Sequence, residues 1–497
     1  MVPLITPAAM RAMERRYFDE TGTASIDLME TAARTLCDTL IARYGVNRRV
    51  GFACGPGGNG GDGYACAHMY SAAGGTAFIV SAGEPTSPDA AVNLRRAREA
   101  GVSENDEAAP GIWVDALYGT GLSRAPTDRA AELIERINAD YDAGAVVVSV
   151  DIPSGLNGTT GKAYEPCVHA DLTCTFQYAK PGCFLADGLD VAGEVAVLDI
   201  GIPKSFYPEN SPALVDEADI RDVLTKRPRN FHKGNAGHLL IVAGSFGMAG
   251  AAAMCAQSAL ATGAGLVTVA CPRSIVPILQ TLAPCAMCVP LPEENGAISA
   301  EAVDILKDTF IGKDAVVCGC GLSRRASPEV VRAVLECGRP ALLDADALNL
   351  ISESIELKAL LKSHHLLTPH PGEAARLLGR RMENPVDDAF ALQALGSQAL
   401  LKGATTLIPV ENRVLLSASG TSGMAKGGSG DCLSGVIGAL MVQNRARLTG
   451  EMLALCAAVG SELHGLAGEL ACKRRGVRGM TPMDLIDALP EVLKRYE

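Results

Sequence analysis

Two stretches of this 497-residue chain combine glycine, hydroxyl and carboxylate in spacings that suit chemistry on phosphorylated nucleotides. In Met424-Ala-Lys-Gly-Gly-Ser-Gly-Asp-Cys-Leu-Ser-Gly435 a Gly-rich turn runs directly into an apolar helical pattern. Backbone N–H groups of Gly428, Ser429 and Gly430 can form a nest at the positive end of that helix, where they would stabilise charge on a moving phosphoryl group. Asp431, at the same turn, can take the proton of an attacking hydroxyl; the plainer alternative is a helix N-cap. Upstream, Lys402-Gly403-Ala404-Thr405-Thr406 offers a cation and two hydroxyls to phosphates, or simply a surface turn. Asp344-Ala-Asp-Ala-Leu-Asn349 and Thr368-Pro-His-Pro-Gly-Glu373 follow apolar runs and bring acids and an imidazole to the same region. Two prolines stiffen the loop around His370, and Glu373 is placed to help hold a hydrated magnesium ion.

The first half carries Gly55-Pro-Gly-Gly-Asn-Gly-Gly-Asp-Gly63, Asp115-Ala-Leu-Tyr-Gly-Thr-Gly121 and Asp151-Ile-Pro-Ser-Gly155, each after a strand-like run. Loops at the carboxyl ends of parallel strands share one edge, so Asn59, Asp62, Asp115, Asp151 and Ser154 can converge on one pocket. The glycines allow backbone N–H groups to approach a pyrophosphate, or merely turn the chain tightly. The run ending at Val80 lacks an acid placed to grip a ribose, and no Gly-Lys-Ser/Thr follows the loop, which argues against an ordinary dehydrogenase and against a P-loop. Clustered Asp62, Asp115 and Asp151 repel one another unless a cation or hydrogen-bond donors offset the charge; the alternative is that each only caps a turn.

Such loops need elements to hold them. Short β-branched runs alternate with helical segments twice, predicting two α/β domains with mostly parallel sheets. The first series includes Arg49–Cys54, Thr76–Val80, Ile112–Val114 and Ala145–Val150 and tails off near Ile202; the second includes His238–Ala243, Ala315–Cys318, Ala341–Leu343 and His365–Thr368. Residues 203–236 carry Pro, Asn and charge with little strand pattern, which puts the boundary near residue 220. A net charge of −12 and a pI near 5.3 oppose electrostatic attraction to nucleic acid or an anionic membrane. Sixteen irregularly spaced cysteines read as buried thiols in a reducing compartment, and the Cys285/Cys288 pair as core filling, because no second pair or well-spaced His completes a zinc set. The start of the chain lacks the pattern of a secretory signal, so a cytoplasmic location is expected. Ala249–Ala270 is uncharged, but its Ala, Gly, Ser and Thr content predicts a small-residue helix running into a strand, not a membrane span.

The first three motifs, with Leu28-Met-Glu30, resemble the NAD(P)H-hydrate epimerase family over residues 1–215; Gly58 stands where that family usually has the first of two Asn residues. The resemblance implies a Rossmann-like domain. It implies a potassium ion held by Asn59, Asp115 and Ser154, and contacts to a hydrated nicotinamide nucleotide from Gly58, Asn59, Gly60, Gly61, Asp62, from Gly119, Thr120, Gly121, Leu122, Ser123, Arg124, Ala125, and from Asp151. Lys180, in Ala179-Lys-Pro-Gly182, is a candidate proton-handling partner of Asp151, with an exposed solubilising lysine as the alternative.

Residues 225–497 resemble the ADP- or ATP-dependent NAD(P)H-hydrate dehydratases, a ribokinase-like branch. The resemblance rests on Lys233-Gly-Asn-Ala-Gly237, Gly244-Ser245 with Gly250-Ala251, Gly319-Cys-Gly321, Asp344–Asn349, Thr368–Glu373, Lys402–Thr406 and Gly427–Asp431 in that order. Cys320 replaces a usual Pro. By this resemblance Ala251, Gly321, His370 and Asp431 would contact the hydrate, and Lys402, Gly403, Ala404, Thr405, Thr406, Gly428, Ser429 and Gly430 the ADP or ATP. Together the halves imply a bifunctional repair enzyme. One domain would interconvert the R and S epimers of hydrated NADH and NADPH. The other would phosphorylate the S hydroxyl, with Asp431 as base, and expel phosphate to restore the double bond. A homo-oligomer is a family expectation. Two rivals stand beside this reading: a ribokinase-like kinase for a vitamin precursor, and a non-catalytic nucleotide-binding role for the N-terminal half.

Overall fold

The computed structural model describes residues 1–105, 108–122 and 124–497. The chain divides into two compact units, Pro3–Pro212 and Ala213–Glu497 with Met1–Val2 joined to the latter.

The first unit is built on a seven-stranded sheet in the order Ser103–Glu104, Thr76–Ser81, Arg49–Cys54, Ile112–Ala116, Val146–Val150, Leu172–Phe176, Glu194–Leu198, parallel throughout. Two apolar clusters explain why these strands read as continuous hydrophobic runs. Phe52, Val114 and Val148 pack into one with the helices Pro7–Thr21, Ser25–Tyr44 and Gly58–Ala72, while Ala53, Trp113 and Val147 pack into the other with Asp128–Asp142. Alternate residues therefore serve opposite faces, both covered by helices, and the crossover helices are what make a parallel sheet possible. The strand at Leu172–Phe176 escapes pattern reading because Thr173, Cys174 and Thr175, all fully buried, weaken its hydrophobic signature.

The second unit has a seven-stranded parallel sheet ordered Met287–Leu291, Leu266–Pro272, His238–Val242, Ala315–Cys318, Ala341–Leu343, His365–Leu367, Gln398–Ala399. Leu239 through Val242 are all 0% exposed, as a strand covered on both faces requires. A hairpin of Thr406–Val410 and Arg413–Ser417 belongs to a separate sheet, with Ala213–Leu214 parallel to its second strand. Residues 203–236, with little strand pattern in the sequence, thus hold this strand and the helix Glu217–Val223, which opens with a capping box between Asp216 and Asp219. Short elements with two or three apolar positions leave little periodicity to read.

Ala249–Ala261 is a helix leading to the strand Leu266–Pro272, and no described helix is long and apolar enough to cross a membrane. Every cysteine is free, but the expectation of buried thiols fails at Cys285, which is exposed, and at Cys288, Cys337 and Cys472, which are half-buried. Cys285 lies just before the sheet's edge strand, which has a neighbouring strand on one side, and its exposed thiol fills no core.

Candidate active sites at the strand ends

In the first unit a cleft of about 510 Å³ opens beyond the carboxyl ends of the strands. Gly58, Asn59, Asp62, Gly119, Thr120, Gly121, Leu122, Asp151 and Lys180 line it. The Gly-rich segment differs from expectation: Gly58–Gly63 is not loop but the opening of the helix Gly58–Ala72, with Gly57 as N-cap. A Cβ on Gly60 would sit 1.8 Å from the Gly55 carbonyl oxygen, so only glycine lets the helix start this close to its strand. Gly60 and Gly61 are packed behind the cleft wall. Arg124 and Ala125 are exposed and do not line the cleft, and Ser123 lies outside the described residues.

Asp151 follows its strand with φ of 69°, a conformation Asp tolerates better than most side chains. Its carboxylate is ion-paired with Lys180, which is 1% exposed and also donates to Thr175 Oγ1 at 3.1 Å. The solubilising alternative for Lys180 is therefore wrong. Asp115 lies beneath the cleft, fully buried, and accepts from Ser154 Oγ at 2.5 Å, Ser154 N at 2.8 Å, Ser149 Oγ at 2.9 Å and Leu117 N at 3.3 Å. Burial raises its carboxyl above the ordinary range while the Ser154 donors pull it back. Ser154 Oγ in turn accepts from Tyr118 N at 2.8 Å, and the Nδ2 of Asn59 is buried without a partner. Asp115, Ser154 and Asn59 each carry oxygen, the hard donor type that an alkali cation takes. Among the described residues no three His, Cys, Asp or Glu side chains cluster as ligands for a metal.

Sequence reasoning missed Glu14. It belongs to the helix Pro7–Thr21, and at spacings of four it shares one face with Met10 and Phe18; all three line the cleft. Burial, then the charge of Asp151, pushes its carboxyl up to about 7. Asp62 is raised well above its ordinary value by burial and by Asp151 and Glu14. The run Glu14-Arg-Arg16 reads as a solvated charged face; the signal that finds Glu14 is its i+4 relation to Met10.

In the second unit Gly428 has φ of 105° and caps the helix Ser429–Gln443, which places Asp431 in the first turn. No side-chain cap bond involves Asp431 there, so its carboxylate is not spent as an N-cap. Burial, then the charge of Asp344, raises Asp431 to about 6. Lys402 Nζ donates to Asp344 Oδ1 at 2.7 Å, and Ser434 Oγ to Asp344 Oδ2 at 2.7 Å. A Cβ on Gly430 would lie 3.6 Å from Lys402 Nζ, so the Lys402 turn and the helix start meet. Thr405 and Thr406 are buried, leaving Gly403 and Ala404 as the exposed part of that turn. His464 is buried with its Nε2 2.9 Å from the Ser429 carbonyl oxygen, and burial pushes it down to about 4, so the neutral ring donates to that carbonyl.

Ala251 and Gly321 are neighbours: a Cβ on Gly321 would lie 2.8 Å from that of Ala251, and Ser245 Oγ donates to the Gly321 carbonyl at 2.9 Å. His370 is the N-cap of Pro371–Leu378; its Nδ1 accepts from Gly372 N at 3.0 Å, and Glu373 Oε2 accepts from His370 N at 2.9 Å. The His370 side chain stays 53% exposed, whereas the Glu373 carboxylate is engaged in this capping box, a position the sequence reading had not foreseen for a magnesium-ordering acid.

Fold and sites define a chain with two parallel-sheet α/β units, each bearing carboxylates and an ion-paired lysine at its strand ends. Residues 239–491 match the NAD(P)H-hydrate dehydratase family and residues 25–182 the YjeF-related protein N-terminus. The bifunctional NAD(P)H-hydrate repair enzyme of Moorella thermoacetica is 36% identical over 99% of this chain and 97% of its own length, and that of Escherichia coli K12 is 34% identical over 97% and 92%. A hypothetical protein of Streptococcus mutans, 24% identical, shares the fold with a TM-score of 0.50 over 57% of this chain and all of its own. The chain belongs to the bifunctional NAD(P)H-hydrate repair enzyme family. Membership over nearly the full length displaces the vitamin-precursor kinase alternative.

Proposed function

We propose that the unit ending near residue 215 interconverts the R and S hydrates of NADH and NADPH, and that residues 225–497 dehydrate the S form at the expense of ADP or ATP. The observation that carries the second assignment is the raised, uncapped Asp431 at a glycine-framed helix start, beside an ion-paired lysine. Asp431 removes the proton of the ring hydroxyl as that oxygen attacks the terminal phosphorus. The N–H groups of Gly428, Ser429 and Gly430 take the developing charge, and Lys402 and its turn face the nucleotide phosphates. Phosphate then leaves with the C–O bonding pair, ring nitrogen supplies electrons, and loss of a ring proton restores the double bond. Ala251, Gly321 and the exposed His370 line the hydrate's side of this site.

In the first unit Gly58, Asn59, Asp62, Gly119–Leu122 and Asp151 contact the hydrate, and Lys180 holds Asp151 in an ion pair. A potassium ion held by Asn59, Asp115 and Ser154 would supply positive charge near the substrate phosphates. Magnesium accompanying the nucleotide, a cytoplasmic setting and a homo-oligomeric state complete the reading. Purified protein given mixed hydrate epimers with ADP or ATP should return all of the dihydronicotinamide absorbance. A stable phosphorylated product without that absorbance would overturn the assignment.

A further inference from the structure

A carboxylate is out of place on an apolar helix face, yet Glu14 sits between Met10 and Phe18 on the side of Pro7–Thr21 that walls the epimerase cleft. Asp151, on the opposing strand end, is ion-paired with a buried lysine, whereas among the described residues Glu14 makes no side-chain hydrogen bond or ion pair. One cleft therefore holds a carboxylate engaged by a buried lysine and another left without a partner. Environments that push two acids apart are how a site divides acid and base roles. The helix is tied to the loop lining the same cleft, since Arg11 Nη1 donates to the Thr120 carbonyl at 3.0 Å.

We propose that Glu14 is a catalytic acid of the epimerisation, working opposite the Lys180-paired Asp151; the inference rests on the epimerase reading of this cleft. Hydration of an enamine double bond puts the hydroxyl on the carbon attached to ring nitrogen, and such a carbinolamine can open. Asp151 takes the hydroxyl proton, the O–H electrons form the aldehyde C=O, and the C–N bond breaks with its pair passing to nitrogen. Glu14 delivers a proton to that nitrogen. Rotation about the adjoining C–C bond turns the other aldehyde face inward, and closure reverses each step: nitrogen attacks, Glu14 recovers its proton, and Asp151 returns one to oxygen. No oxidant or reductant enters, and the net proton count is zero.

The groups facing Glu14 are Asp151 and Asp62, which favour its protonated form, and Lys180 and Arg11, which favour the anion. Burial and Asp151 prevail, leaving Glu14 near 7, a value matched to proton transfer at neutral pH. Asp62 is also raised well above its ordinary value, by burial and then by Asp151 and Glu14, so its own variant belongs in the test.

The test follows R-to-S conversion by chromatographic separation of the hydrates across pH, above the uncatalysed rate, in the full chain and its Glu14→Gln, Glu14→Asp, Asp62→Asn and Asp151→Asn variants. Denaturant unfolding followed by the fluorescence of Trp113, the single tryptophan and buried in the core of the first unit, reports that each variant is folded there, and ATP-dependent dehydration of pure S hydrate by the same chain reports that the second unit is intact. Glu14→Gln should slow epimerisation roughly 10²-fold or more and abolish the fall in rate above about pH 7, and Glu14→Asp should restore part of the rate with that limb. The inference is overturned if Glu14→Gln keeps its rate within about threefold and retains the limb, or if the limb disappears only in Asp62→Asn. If Asp151→Asn epimerises at the full rate, the epimerase reading of the cleft itself fails, a result separable from the behaviour of Glu14.

Discussion

Lys402 and Asp344, 58 residues apart in the chain, meet at 2.7 Å where the strand Ala341–Leu343 and the turn after Gln398–Ala399 end on the same sheet edge. Asp344 is 2% exposed and also accepts from Ser434 at 2.7 Å, so the half-buried Lys402 meets a buried carboxylate oriented by the very helix that carries Asp431.

Breaking this pair from one side leaves an uncompensated charge. Lys402→Met or Asp344→Asn alone should lower unfolding stability by about 3–5 kcal/mol, while the double variant recovers part of the loss. Denaturant unfolding at neutral pH measures it; single and double variants of equal stability would contradict the coupling.

Asp431 titrates near 6, so dehydration should rise with pH through that value as the base loses its proton. Removing Asp344, whose charge favours the protonated form, should move the rise to lower pH. Asp431→Asn should cut ATP-dependent recovery of dihydronicotinamide absorbance by roughly 10²–10⁴-fold and leave epimerisation intact. Because the folded pKa is raised, ionising Asp431 costs stability as pH climbs from its ordinary 3.8 through about 6. The Asn variant should therefore be more stable than the parent at neutral pH, by about 1–3 kcal/mol, and equal to it in strong acid.

His464 titrates in the opposite sense. Its folded pKa is depressed from 6.5 to about 4, so its contribution is present above 6.5 and lost as pH falls through that window, where the unfolded chain binds the extra proton. Relative to a His464→Gln variant, the parent should lose up to about 3 kcal/mol between those values, measured by urea unfolding at a series of pH values. The same substitution loosens the hold on the Ser429 carbonyl, and the expected kinetic sign is a higher KM for nucleotide.

Ser154 supplies two of the four hydrogen bonds to Asp115, one from its hydroxyl. Ser154→Ala should destabilise the first unit by about 1–3 kcal/mol and reduce epimerisation, with ATP-dependent dehydration of S hydrate unchanged as the internal control. Potassium titration of epimerisation in the parent and in Asn59→Ala checks the cation: a rate independent of potassium would remove it from the site.

The sequence by itself determined the two parallel sheets and most of their strands, because crossovers covering both faces impose apolar runs such as Leu239–Val242 that survive without any partner being known. It also determined the glycine turn that carries Asp431, since Gly428 and Asp431 are local: a left-handed turn and a helix start are fixed within a few residues. Tertiary structure alone decided which charges meet. The residues around Lys180 leave a partner of Asp151 and an exposed lysine both open, and the charged run Glu14-Arg-Arg16 carries no sign of burial. Asp151 ion-pairs with Lys180, and burial together with the charge of Asp151 raises Glu14; both depend on separations the chain closes only by folding. The strand Leu172–Phe176, with its buried threonines and cysteine, shows the same limit: polarity on the page becomes core once neighbouring strands satisfy the backbone and the helices exclude water.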